Sequence, residues 1–336
     1  MEIKQIKKEY VDEALKLALW EYDKECNACP ELVRADFTGN LRECLQALFS
    51  KGYGKIAMDE GKLIGYLAFW KPCDGFFGNV KGAFSPLGGS GFIGKNRSKT
   101  ASKLFAATAE ELIKEEICSY AVSRYAHDEE VGKSFVLNGF GIRCSDAILN
   151  LHNRKKCNTN NTKITYRELE KEEKEAVAEL RMGLIRHIFA APTFLPSDTS
   201  NFYNWFKRDD IRIVAAFDGE KAVGFMSITD TAETFITEYK NMPNICGAFV
   251  EQEYRETGIA DELLEYVCSI CEQEGNTYLG VDCETLNPTA LHFWGKHFEN
   301  YTYSYHRRID ERCIKKALDE SVMLMPSAEK DVIKRI

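Results

Sequence analysis

At 336 residues the chain is about two domains long, taking roughly 150 residues for a common domain, and 44% hydrophobic with 29% charged residues is the mix of a folded globular protein. Disorder and fibrous repeats are excluded. With 44 Lys and Arg against 52 Asp and Glu, a net charge of −8, a chain built to grip a phosphate backbone is excluded too, and no nucleic-acid partner is expected.

No apolar run approaches the roughly 18 residues of a membrane span, and Met1-Glu2-Ile3-Lys4 is charged rather than a signal segment, so a cytoplasmic protein with no membrane partner is expected. The 12 cysteines are then read as reduced thiols. Cys26-Asn27-Ala28-Cys29 and Cys268-Ser269-Ile270-Cys271 have the spacing of zinc knuckles, but the second pair falls in a helical pattern and the pairs lie more than 200 residues apart. They are read as structural cysteines, and no metal is expected.

In chain order, Val11 to Glu25 and Leu41 to Ser50 carry the apolar spacing of amphipathic helices. Lys55 to Asp59 and Leu63 to Trp70 read as strands joined at Asp59-Glu60-Gly61-Lys62. A long helix follows over Thr100 to Ile117, then a β-rich run over Tyr120 to Tyr125, a short helix over Val131 to Leu137 and a final strand. The segment from His152 to Lys163 is dense in Asn and Thr and has no apolar period, so it is read as a linker.

Beyond it the same order returns. Glu170 to Ile188 and Phe202 to Lys207 read as helices, and Arg212 to Phe217 and Ala222 to Ile228 as a hairpin turning at Asp218-Gly219-Glu220-Lys221. The helix Gly258 to Glu274, the strand Tyr278 to Cys283, the helix Pro288 to Lys296 and a last strand complete it. The repetition predicts an internal duplication, each copy an α/β domain around a mixed sheet. The expected division is 1–151, a linker at 152–163, a second domain at 164–310 and a tail at 311–336.

The chemistry concentrates between Ile245 and Ala260. An apolar strand runs into Glu251-Gln252-Glu253-Tyr254-Arg255-Glu256-Thr257-Gly258-Ile259-Ala260 and then into a strong helix. Gly258 and the small Ala260 let backbone come close to a ligand, and the free N–H groups of a first helical turn favour an anion there. The segment is neither a P-loop nor the three-glycine dinucleotide fingerprint.

Arg255-Glu256-Thr257-Gly258-Ile259-Ala260 resembles the Arg/Gln-x-x-Gly-x-Gly/Ala motif of the GNAT superfamily of N-acetyltransferases. Asn287-Pro288-Thr289-Ala290-Leu291-His292-Phe293-Trp294 with Phe298 is similar to the family's downstream Asn-x-x-Ala-x-x-Phe-Tyr segment. The resemblance covers residues 162 to 309, and through the repeat it reaches a degenerate copy in 1 to 151, so the fold expected is two tandem GNAT-like domains, each with a splayed central strand pair. It implies acetyl transfer from acetyl-CoA to a primary amine of a small acceptor, by direct attack. The pantetheine arm would lie along the main chain of Ala248, Phe249 and Val250. Arg255, Glu256, Thr257, Gly258, Ile259 and Ala260 would hold the pyrophosphate, and Asn287, Phe293 and Trp294 would line the arm's other side.

Such a transfer needs a neutral amine, a polarised thioester carbonyl and a proton for the leaving thiolate. The family's acid is a tyrosine where this chain has Trp294, which the resemblance makes a candidate catalytic residue, although its indole N–H can donate a hydrogen bond without giving up its proton. Asp282 and Glu284 are the carboxylates available on the following strand, and Glu284 is the candidate base. The alternative reading is a catalytically silent acyl-CoA-binding or sensing protein. In the first half Thr100 and Ser102 stand where Gly258 and Ala260 stand in the second, and Phe135 where Trp294 does, so acetyl-CoA is expected in the second half alone. A monomer or homodimer fits either reading.

Overall fold

Both halves turn their first hairpin at a glycine that takes positive φ, Gly61 (φ 77°) and Gly219 (φ 62°), a conformation that costs glycine nothing. The computed structural model describes residues 1–156, 163–230 and 232–314; the middle of the predicted linker and most of the predicted tail lie outside the described residues. The first half runs β1 (Glu2–Gln5), α1 (Val11–Ala28), α2 (Thr38–Lys51), β2 (Gly54–Asp59), β3 (Lys62–Ala68), β4 (Lys81–Ser85), β5 (Ser90–Phe92), α3 (Arg97–Leu112), β6 (Ile117–Tyr125), α4 (Glu129–Leu137) and β7 (Gly141–Asn150). The second runs β8 (Ile164–Glu168), α5 (Ala178–Phe189), α6 (Phe202–Phe206), β9 (Arg212–Asp218), β10 (Lys221–Thr229), β11 (Asn244–Val250), α7 (Ile259–Gln273), β12 (Tyr278–Glu284), α8 (Pro288–His297) and β13 (Glu299–Arg308). The order of elements is the duplicated one.

Two predicted helices differ. The one expected over Glu170 to Ile188 starts as a 3-10 helix, Lys171–Val177, held by a capping box between Glu170 and Glu173, and becomes α-helical only at Ala178. The one expected over Thr100 to Ile117 ends at Leu112, because Glu116 turns the chain at φ 65° and Ile117 already belongs to β6.

The strands form a four-stranded sheet, β1-β2-β3-β5, and a nine-stranded sheet, β4-β6-β13-β7-β12-β11-β10-β9-β8. The large sheet joins the halves by exchanging their last strands. β13 pairs antiparallel with β6 of the first half, β7 pairs antiparallel with β12 of the second, and the exchanged strands pair with each other in the middle. The core follows the exchange: Phe235, Ile236, Met242 and Tyr301 of the second half are buried in one cluster with α1, α2 and Tyr66 of the first. The two sequence repeats are therefore one packing unit, since each completes its sheet with the other's strand.

In the second half the sheet is sandwiched. Leu263, Leu264 and Val267 of α7 and Trp294 of α8 pack on one face against Val214, Met226, Leu279 and Val281. On the other face, Leu180 of α5 and Phe206 pack against Ile213, Ala215 and Phe225. This alternation of β-strand side chains decides which residues meet the cleft between β11 and β12.

Candidate active site

β11 and β12 are parallel neighbours for only two positions, Asn244 opposite Gly280 and Ile245 opposite Val281. Beyond them the strands part. The register of β11 on β10 shifts at the same point: Ile245 pairs with Ile228 and Gly247 with Ser227, which leaves Cys246 as a bulge. A bulge bends its strand and increases its twist, so it turns the rest of β11 away from β12. Main-chain groups of β11 on that edge then lack a strand partner in β12.

The gap opens into a cleft of about 320 Å³. Leu184 and His187 of α5 reach it from one face, Ala248, Phe249 and Val250 form its strand wall, and Ala290, Phe293 and Trp294 of α8 reach it from the opposite face. Trp294 is buried, its ring edge-to-face with Phe293 and Phe298 at 4.8 and 5.5 Å. It is a packed wall. Phe249 stands against Gly183, where a Cβ would come within 2.7 Å of the ring, so that glycine lets α5 approach the strand.

At the end of β11 the chain makes the turn into α7. Arg255 folds back, its Nε donating to the carbonyl oxygen of Val250 over 3.1 Å and its guanidinium lying 5.2 Å from the Phe249 ring. Gly258 caps α7 at φ 90°, and a Cβ built on it meets no atom within 4 Å. Space above the turn is open. Arg255, Glu256, Gly258 and Ala260 line the cleft, whereas Ile259 is buried in the core and the Thr257 hydroxyl donates back to Tyr254 O over 2.6 Å. The acids of the first helical turn are engaged: Asp261 accepts from His297 Nε2 at 2.8 Å and Glu262 from the Tyr166 hydroxyl at 2.6 Å.

Asn287 caps α8 and gathers three donors on its Oδ1: the Ala290 amide (3.4 Å), the Thr289 hydroxyl (2.7 Å) and His187 Nε2 (3.2 Å). Since Oδ1 accepts, Nε2 carries the imidazole proton. The His187–Asn287 bond joins helices on opposite faces of the sheet across the mouth of the splay. His187 was not legible as a site residue, because nothing in the α5 sequence distinguishes it from a surface histidine.

On the face away from α7 and α8, an acidic recess adjoins the splay. Asp282 and Glu284 alternate on β12 with Val281 and Cys283, and Asp146 stands opposite Asp282 on the exchanged strand β7. Burial pushes the Asp282 carboxyl up to about 6, with help from the charges of Glu233 and Glu284, although the side chain stays open to solvent within the recess. Asp146 is pushed up to about 7, chiefly by burial and against the Thr302 hydroxyl that bonds it. Glu284 is also raised by burial, opposed by Arg143, whose Nε lies 3.6 Å away. Among the described residues no group of three or more His, Cys, Asp or Glu is arranged to hold a metal ion, and no helix is long and apolar enough to cross a membrane.

A parallel strand pair that splays over a strand-turn-helix cradle, inside a mixed sheet with helices on both faces, is the arrangement expected of a GNAT-like fold. Residues 177–298 match the family model described as acetyltransferase (GNAT) family. Solved structures extend the likeness over the whole duplicated fold. A GCN5-related N-acetyltransferase from Sphaerobacter thermophilus superposes with a TM-score of 0.60 at 12% identity, over 91% of this chain and 95% of that one. A GCN5-related glucosamine N-acetyltransferase region of a fungal multi-domain GH3 β-N-acetylglucosaminidase superposes with a TM-score of 0.54 at 13% identity, over 91% of this chain and 38% of that one. A comparison with curated proteins finds no match.

Proposed function

We propose that the protein is a cytoplasmic N-acetyltransferase that moves an acetyl group from acetyl-CoA to the primary amine of a small, cationic acceptor. The observation that carries this reading is the early end of the β11–β12 ladder above the open Gly258 turn. Main chain of Ala248, Phe249 and Val250 would bond the amide-rich pantetheine arm as a surrogate strand, and the turn from Arg255 to Ala260 would take the pyrophosphate. Asn287, Phe293 and Trp294 would close the arm's other side.

The acidic recess supports an amine as acceptor. An ammonium is drawn to Asp282, Glu284 and Asp146, but only its neutral form attacks, so a proton must leave first. Asp282 suits that step better than Glu284: it directly follows the last residue of β12 that pairs with β11, and its carboxyl titrates at about 6, whereas Glu284 is drawn towards Arg143. The amine lone pair then forms the C–N bond at the thioester carbon, the C–S bond breaks, and the departing thiolate takes up a proton.

Trp294, in the place of the family's tyrosine, favours the second reading of an acyl-CoA-binding module without turnover. Free thiol released from acetyl-CoA in the presence of a panel of amines tests both. Sustained, amine-dependent release supports the enzyme. Binding of acetyl-CoA with no release across alkylamines, polyamines, amino sugars and amino acids leaves the binding module.

A further inference from the structure

The first half has a cleft of its own, in the position equivalent to the one just described. Asp128 precedes α4 as Asn287 precedes α8, and Arg97 Nε donates to Phe92 O over 2.9 Å as Arg255 does to Val250 O. Between them lies a cavity of about 240 Å³ lined in part by Glu21, Glu25, Arg97, Tyr125, His127 and Asp128.

Its contents exclude a coenzyme arm. Arg124 of β6, only 2% exposed, fills the splay: it donates to both carboxylate oxygens of Glu21 (2.9 and 3.0 Å), to Ser90 O on β5 (2.9 Å) and to Asp128 (2.5 Å). The turn that would hold a pyrophosphate is wound into α3, which begins at Arg97, and the Ser98 amide at its start already donates to the Glu130 carboxylate over 3.2 Å.

Two groups are left over. Glu25, 3% exposed, accepts from His127 Nδ1 at 2.8 Å on one oxygen, and the His127 amide donates to both of its oxygens at 3.4 Å, which leaves lone pairs of the second oxygen open. Tyr125, also 3% exposed, lies among Glu21, Glu25, Tyr66 and Arg124, and its hydroxyl has no hydrogen-bond partner among the described residues. A buried hydroxyl without a partner is costly and rare. Of the three carboxylates in this lining, Glu21 and Asp128 pair with the guanidinium groups of Arg97 and Arg124, whereas Glu25 has the His127 imidazole, a charged partner only when protonated. Lys24 at the rim is turned onto the Trp20 ring, 4.0 Å from its centroid.

We propose that this cavity is a binding site for a small primary ammonium compound, which donates N–H groups to Glu25 and to the oxygen of Tyr125. A carboxylate with an open lone pair beside an unpaired hydroxyl asks for a cationic donor with several hydrogens, and an alkylammonium supplies three. The site is separate from the acidic recess of the second half and does not rest on the activity proposed there.

Titration of the full-length, 15N-labelled protein with n-propylammonium chloride, followed by amide chemical shifts, tests it. Saturable shifts are expected at Tyr125 to Asp128 and along α1, with none from 1-propanol at equal concentration. Glu25→Gln should weaken them at least tenfold and Tyr125→Phe several-fold, while Asp282→Asn leaves them unchanged. Tyr125→Phe should fold with an undiminished Tm in the absence of amine, because it removes a hydroxyl that has no partner; it keeps the test decisive if Glu25→Gln does not fold. No saturable shifts near Tyr125, equal shifts from 1-propanol, parental affinity in Tyr125→Phe, or loss of the shifts in Asp282→Asn would each overturn the proposal.

Discussion

Asp146 and Asp282 stand opposite one another across the antiparallel pair β7–β12, two carboxyl groups from different halves brought together by the exchange of strands. Both are held above the usual carboxylate range, at about 7 and about 6, first by burial and then by the negative charges around them. Their folded-state pKa values lie above the unfolded value of about 3.9, so between about pH 4 and 7 the folded protein binds more protons than the unfolded one, and stability falls as pH rises through that window. Asp146→Asn should remove much of that slope and be more stable than the parent at pH 8, with a smaller difference at pH 5. Urea unfolding at the two pH values decides it; a parent that gains stability from pH 5 to 8 relative to the variant contradicts the account.

Activity should run the other way. If Asp282 takes the amine proton, kcat/KM rises as pH climbs through about 6, and Asp282→Asn loses both rate and this rise, while Glu284→Gln keeps the rise. The pH profile of amine-dependent thiol release separates the two carboxylates.

Gly258 offers a cleaner probe of the cradle. Open space surrounds a Cβ there, so Gly258→Ala costs only the strain of a side chain at positive φ, about 1 kcal/mol. It should still bind acetyl-CoA. Gly258→Asp bears the same strain but sets a negative charge against a pyrophosphate, and should lose more than tenfold in affinity, over roughly 1.4 kcal/mol. Calorimetric titration of both variants, with Tm as the control for folding, checks this; equal affinity in the two would remove the cradle.

Asn287→Ala should lower stability by about 1 kcal/mol, the usual cost of losing a helix cap, and leave His187 with the Thr289 hydroxyl as its partner across the cleft. Weaker acetyl-CoA binding beyond the change in Tm would show that Asn287 touches the coenzyme as well as the helix.

Cutting the chain in the linker gives a test of the exchange. Polypeptides 1–156 and 163–336 should each fail to fold as a monomer, since each lacks the strand that completes its sheet, and should recover acetyl-CoA binding only when refolded together. Calorimetry on either half alone therefore cannot report the affinity of one site. A well-folded, monomeric half by NMR would contradict this reading of β7 and β13.

The elements and their duplication were legible in the sequence because they rest on local rules: apolar periods of 3.6 and 2, glycine at the Gly61 and Gly219 turns, and the Arg255 to Ala260 run before a strong helix. The strand Ile245 to Val250 follows from the same short-range signals. Tertiary structure decided the rest. Strand order is set by which exposed edges meet, and no local pattern in Gly141–Asn150 or Glu299–Arg308 says that each will pair with the other half. Asp146 therefore reads as an ordinary strand residue until β7 lies against β12, and His187 as a helix-surface residue until α5 meets the cap of α8. Arg124 and Glu21 likewise stand 103 positions apart, and only the packed core brings them into the splay that they fill. Burial then does to these carboxyl groups what sequence spacing cannot foretell, because the shift depends on how much protein surrounds a charge and not on its neighbours along the chain.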